Sequence, residues 1–125
     1  MIGEAETVQW MIAALNSIEM VTVPWWFLKV SGEEDNGLAD WMGNRLDQLE
    51  KVLNERDWLA ADRFTAADLL MADVLRVSKV RSAGDRPATA AYVTRVTDRP
   101  SFKKARADQL AHFAAADESR SVAGQ

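Results

Sequence analysis

The sequence predicts an all-α protein, a five-helix bundle built around one buried central helix. Three observations carry this reading. Apolar residues recur at helical spacing along most of the chain, and no stretch alternates with the two-residue period of a strand. The last two segments each open on a proline placed just after a polar turn. At 125 residues the chain has the size of one domain and can build a core without covalent staples.

Each element has its own signal. Val8, Met11, Ile12, Leu15 and Ile18 form one apolar stripe, and Glu4 and Glu6 suit the positive end of a helix beginning there. Pro24 disfavours helical geometry at Val23, so this helix is expected to end or kink before Trp25, Trp26 and Phe27. Trp10, Trp25 and Trp26 crowd one short region, more than a small core absorbs, and predict an exposed apolar patch around the first helix. Ser31 to Gly37 reads as a loop. A second helix puts Leu38, Trp41, Met42, Leu46, Leu49 and Leu53 on one side and Asp40, Arg45, Asp47, Glu50 and Lys51 on the other, with an exit turn at Asn54 to Asp57. After Thr65, the residues Leu69, Leu70, Met71, Ala72, Val74, Leu75, Val77 and Val80 surround a helix axis with apolar groups, as expected of the central helix. Ser82 to Arg86 is a turn, Pro87 opens a fourth helix, and Asp98-Arg99-Pro100 leads into a fifth carrying Phe102, Leu110 and Phe113. The domain is expected to span residues 1–117, with a frayed polar tail over 118–125.

Composition narrows the function. With no cysteine, disulfides and thiolate zinc sites are excluded. The net charge of -4 argues against a phosphate-binding surface, so no nucleic-acid partner is expected. No apolar run approaches the roughly 20 residues of a membrane span, and the first residues lack a secretory pattern. No membrane partner and a cytoplasmic location are therefore expected. His112 is the single histidine and reads as a surface or satellite-core residue; no G-x-S-x-G elbow or glycine-rich phosphate loop occurs. The adjacent acids Glu33, Glu34 and Asp35 lack the spacing of a calcium loop. No catalytic, cofactor-binding or metal-ligating residue is expected in this chain.

The most specific local motif is Thr65-Ala66-Ala67-Asp68, a capping box in which the threonine hydroxyl and the aspartate carboxylate each meet the other residue's amide. Phe64 and Leu69 occupy the hydrophobic-staple positions on either side. The longer run Trp58-Leu59-Ala60-Ala61-Asp62-Arg63-Phe64-Thr65-Ala66-Ala67-Asp68 resembles the W-L-x-G-x-x-F-S/T-x-A-D signature of cytosolic glutathione S-transferases, at the entry to the central helix of their C-terminal domain. Trp10 to Glu19 resembles the first helix of that domain, especially in bacterial forms. Leu46 to Leu53 resembles its second helix, and Val93 to Phe102 its R-x-x-x-R-P stretch. Order and spacing agree from about residue 4 to residue 115. The main departure is Ala61, where the signature has glycine.

The resemblance implies a division of labour. In that family an N-terminal thioredoxin-like domain holds glutathione and stabilises its thiolate, while the helical domain supplies one wall of the electrophile pocket and much of the dimer interface. The chain begins almost at the first helix, so the thioredoxin-like domain is expected to be absent and the chain alone inactive, with glutathione the co-substrate of the two-domain protein. By position, Trp10, Asn16, Glu19 and Met20 are the candidates for the pocket wall. The implied partners are a second copy in a homodimer or the missing domain. The alternative is a stand-alone, non-catalytic protein-interaction module of the same fold.

Overall fold

A computed structural model describes residues 3–33, 37–77 and 85–123. Among them are five helices and no strand. Helix α1 is continuous over Glu4–Val30, α2 spans Leu38–Glu55, α3 Ala66–Leu75, α4 Pro87–Thr97 and α5 Pro100–Ala123. Val80, residues 82–84 of the expected turn, and Glu34 and Asp35 of the acidic loop lie outside the described residues.

Helix α1 departs from expectation in three ways. Of the end or kink expected near Pro24, the end does not occur, and the helix runs on to Val30. The proline withholds the amide that would meet the Met20 carbonyl, yet both residues face solvent, where water can replace the bond. Val21, Thr22 and Trp25 meanwhile anchor this stretch in the core. Second, Ala14–Glu19 is π-helical, a wider turn that resets the register between the flanking α-helical segments Glu4–Ala13 and Met20–Val30. Third, the stripe that faces inward is Ala14, Ile18, Val21 and Trp25, with Trp10 and Met11 packed against it. Val8, Ile12 and Leu15, three members of the stripe that periodicity favours, are exposed. Both faces of the helix are apolar, so spacing alone could not rank them. Length and composition also give α1 an 18-residue window of mean hydropathy 1.3, which meets a minimal test for a membrane span; the sequence reading found no such run. Its inner stripe packs against the other helices as a core helix does.

Helix α2 buries Met42, Leu46, Leu49 and Leu53, while Trp41 is exposed. Helix α3 is the hub, touching the Glu4–Ala13 and π-helical segments of α1 and also α4. It buries Ala67, Asp68, Met71, Ala72 and Leu75, ends before Val77, and leaves Leu69 exposed. Tyr92, Val93 and Val96 of α4 close the core. Helix α5 packs mainly through Phe102 in its first turn, and its remaining turns stand in solvent. It continues to Ala123, beyond the 117/118 boundary that composition marks as a tail.

Pro87 occupies the first turn of α4, where its missing N–H costs nothing. The next two amides of that helix are met from α2, not locally. Glu50 Oε1 accepts from Ala88 N–H at 2.9 Å, and Oε2 from Thr89 N–H at 2.8 Å and the Thr89 hydroxyl at 2.7 Å. Arg86 adds a bond to Asp47 at 2.9 Å. The polar side of α2 is therefore partly a docking face for α4.

Candidate functional site

The entry to α3 is the most densely bonded part of the chain. Thr65 has extended backbone, φ -134° and ψ 175°, and its N–H donates to Asp68 Oδ2 at 2.8 Å. Its hydroxyl donates to the same oxygen at 3.3 Å. The contact from the Asp68 amide to the Thr65 side chain is the weaker half of the pair, because that amide also donates to the Thr65 carbonyl at 3.1 Å. The second carboxylate oxygen serves partners no local motif announces. Oδ1 accepts from Leu59 N–H at 3.0 Å and from the Tyr92 hydroxyl at 2.9 Å. Asp68 is fully buried, so its carboxylate is held by neutral donors from the preceding loop, its own helix and α4. Burial, then the neighbouring Asp68 charge and hydrogen bond, push the Tyr92 hydroxyl far above its ordinary range, so it stays a donor.

The loop before α3 is pinned on its other side by α1. Glu6 Oε2 accepts from Ala61 N–H at 3.0 Å, and Oε1 from Arg56 at 3.1 Å. That Ala61 bond first, with Arg56 adding to it, lowers the Glu6 carboxyl below its ordinary value. Phe64 packs edge-on against Trp58 at 5.5 Å and lies under the Arg99 guanidinium at 3.8 Å. Phe64, Leu69 and Phe102 share one groove. These bonds tie the loop and the start of α3 to α1 and α4.

A concave surface suited to an apolar ligand lies along the second half of α1. A cleft of about 360 Å³ runs between that segment and the end of α3, with Thr22, Val23, Trp26, Phe27, Val74 and Val77 as walls and Glu19, Asp73 and Arg76 as its charged residues. Arg76 is paired with Asp73 at 2.6 Å. A shallower depression beside it is lined by Leu15, Asn16, Glu19, Met20, Val23 and Pro24. The structure therefore brings Asn16, Glu19 and Met20 together on the outer side of the π-helical turn. It puts Trp10 elsewhere, in a separate cleft between α1 and α2.

Trp25 and Trp26 also part company. Trp25 is 7% exposed and belongs to the core, whereas Trp26 is 37% and Phe27 57% exposed. Exposed apolar residues on α1 are Val8, Ile12, Leu15, Met20, Val23, Trp26, Phe27 and Val30. The contribution from the end of α3 and just beyond it was missed from sequence: Val74 and Val77 read as core, and Arg76 drew no reading at all. Their exposure depends on where α3 stops, and Leu75 to Val77 carry no stop signal.

The family model of the glutathione S-transferase C-terminal domain matches residues 33–100, more than half of the chain, from the loop before α2 through the first residue of α5. No curated protein matches the chain significantly. The matched segment contains the Asp68 hub, the loop pinned to it and the trans-capped α4. The chain belongs to the glutathione S-transferase C-terminal domain family.

Proposed function

We propose that this domain supplies the electrophile-pocket wall and the subunit interface of a glutathione-dependent transferase when joined to a thioredoxin-like domain. The observation that carries the reading is the doubly apolar α1. One face builds the core, and the other, from Val8 to Val30, lies exposed beside an aromatic cleft. Contiguous apolar surface of this kind is covered in most soluble proteins. In this family the domain is typically dimeric and pairs with a thioredoxin-like domain, with glutathione as co-substrate. The walls formed by Val23, Trp26, Phe27 and Val74 suit an aryl or alkyl electrophile, which needs burial more than hydrogen bonds.

Two measurements test the two halves of the proposal. In an NMR titration, 2,4-dinitrotoluene, an unreactive aryl mimic, should shift the resonances of Trp26, Phe27, Val74 and Val77 before any others, and W26A should abolish the pattern. Shifts scattered over the surface would remove the pocket-wall role. Sedimentation should show association that strengthens with protein concentration and is weakened by the pair I12K/L15K. A strict monomer at high concentration would remove the interface role. Association without aryl binding in the cleft would favour the stand-alone interaction module.

A further inference from the structure

We propose that the cleft between α1 and α2 is a binding site for a small amphipathic carboxylate, held by Arg45. This cleft, of about 410 Å³, is lined by Trp10, Ala13 and Ile18 of α1, Leu49 and Val52 of α2, and Met71 of α3, with Ser17, Arg45 and Gln48 as its polar residues. It is separate from the aromatic cleft beside Trp26 and shares no lining residue with it.

The reason to expect an anion is the state of Arg45. Its Nε is buried and makes no hydrogen bond. Its only bond among the described residues is a long one, from Nη1 to Gln48 Oε1 at 3.5 Å. Two other arginines also have a buried Nε without a hydrogen-bond partner, but each lies over aromatic rings. Arg95 sits over Trp58 and Tyr92, and Arg99 over Phe64 at 3.8 Å. Among the described residues no ring covers Arg45 and no carboxylate lines its cleft. A buried Nε–H without an acceptor is costly, and a carboxylate is the group that the planar guanidinium fork fits best.

The rest of the cleft defines the remainder of the ligand. Ala13 and Ser17 are small residues at and inside the π-helical turn, and they leave space between the two helices that a larger side chain would fill. The Gln48 side chain meets the guanidinium, and Ser17 lines the same cleft, so both carry donors that an anion there could use. The other lining residues are apolar, among them Trp10, whose ring also lies 5.9 Å from the Arg56 guanidinium. The lining thus combines one cation with an otherwise mostly apolar wall, which suits a single carboxylate on a short aryl or alkyl body.

The probe is 4-phenylbutyrate, with its uncharged amide as the matched control, titrated into the 125-residue chain at low salt. Indole N–H resonances report the location, with Trp10 assigned from W10F. The acid should shift the Trp10 resonance and leave that of Trp26 unmoved, and it should bind at least about tenfold more tightly than the amide. R45Q should erase the preference by weakening the acid alone, with its urea melt close to wild type. Should R45Q fail to fold, the acid-to-amide ratio on the wild-type chain decides. Equal binding of acid and amide, a shift confined to other tryptophans, or no binding at about 10 mM overturns the proposal.

Discussion

Helices α3 and α4 both begin on a carboxylate, and the two carboxylates come from different distances. Asp68 caps its own helix three residues from Thr65, and then gathers Leu59 and Tyr92 as well. Glu50 lies 38 and 39 residues before the amides it accepts at the start of α4. The physical task is the same, since the first amides of a helix have no partner within it. What differs is the cost of failure. Asp68 is fully buried, so water cannot replace it, whereas Glu50 is half-buried and solvent can take over part of its role. The comparison separates two kinds of helix start, one fixed by local sequence and one assembled only when helices dock.

The largest expected effect breaks the local start. Asp68→Ala strands the amides of Thr65 and Leu59 and leaves the Tyr92 hydroxyl only its longer bond to the residue 68 carbonyl, and should cost roughly 2 to 4 kcal/mol in urea melts. Thr65→Ala should cost less, since the strongest bond at that position is made by the Thr65 backbone, which the substitution keeps. Losses within about 0.5 kcal/mol of wild type for both would show that α3 does not depend on this carboxylate.

Glu50→Ala should cost about 1 to 2 kcal/mol, the range for losing a helix cap. Hydrogen exchange should sharpen the contrast. In E50A, exchange should accelerate at Ala88 and Thr89 ahead of the rest of the core, while D68A should loosen all helices together because its partners span three elements. Uniform acceleration in E50A would mean that α4 docking is as central as the Asp68 hub.

Legibility follows the same division. The box around Asp68 and the prolines opening α4 and α5 are written within a few residues, and so were readable. The reach of Glu50 to α4 was not, because a glutamate on the polar side of an amphipathic helix carries no mark of a partner 38 residues on. For α1, spacing found a helix but favoured the outer stripe, because a π-helical turn and two apolar faces leave the register undetermined. Of the candidate pocket residues, Asn16, Glu19 and Met20 lie within five positions and meet on one surface. Trp10 lies six residues earlier, where the helix presents a different side.

Acid should read out the remote carboxylates as a pair. Burial acts against the charge on Glu50, but the bonds from Thr89 and Ala88 and the nearby Arg86 outweigh it, so its carboxyl sits below the ordinary 4.5. Glu6 is also lowered, chiefly by the Ala61 amide. For a carboxyl depressed by folding, the stabilisation is complete above the unfolded value and is lost as pH falls through the folded one. Wild type should therefore lose stability below about pH 4.5, and E6Q and E50Q should each flatten part of that slope. Unchanged slopes in both variants would mean the bonds to Ala61 and to α4 contribute equally in folded and unfolded states.

The smallest effect concerns the loop that carries Leu59 to Asp68. Ala61 has φ 57° and Asp62 φ 50°, two consecutive left-handed residues with no glycine between them. Ala61 stands where the family signature has glycine, so the turn keeps a backbone that suits glycine while carrying a methyl group. A left-handed residue with a Cβ costs roughly 1 to 2 kcal/mol, and glycine gives back part of that gain through its looser unfolded chain. Ala61→Gly should therefore stabilise by about 0.5 kcal/mol, without altering the bond from its amide to Glu6. The methyl also explains a constraint at the start of α1. A Cβ added to Gly3 would lie 2.5 Å from that of Ala61, and Gly3 is itself at φ 90°. Gly3→Ala should thus cost more in wild type than in the A61G background, where only the backbone strain at residue 3 remains. Additive effects in this double-mutant cycle would show that the two segments are not in contact in solution. Destabilisation by A61G alone would mean that the methyl packs favourably enough to outweigh its backbone strain.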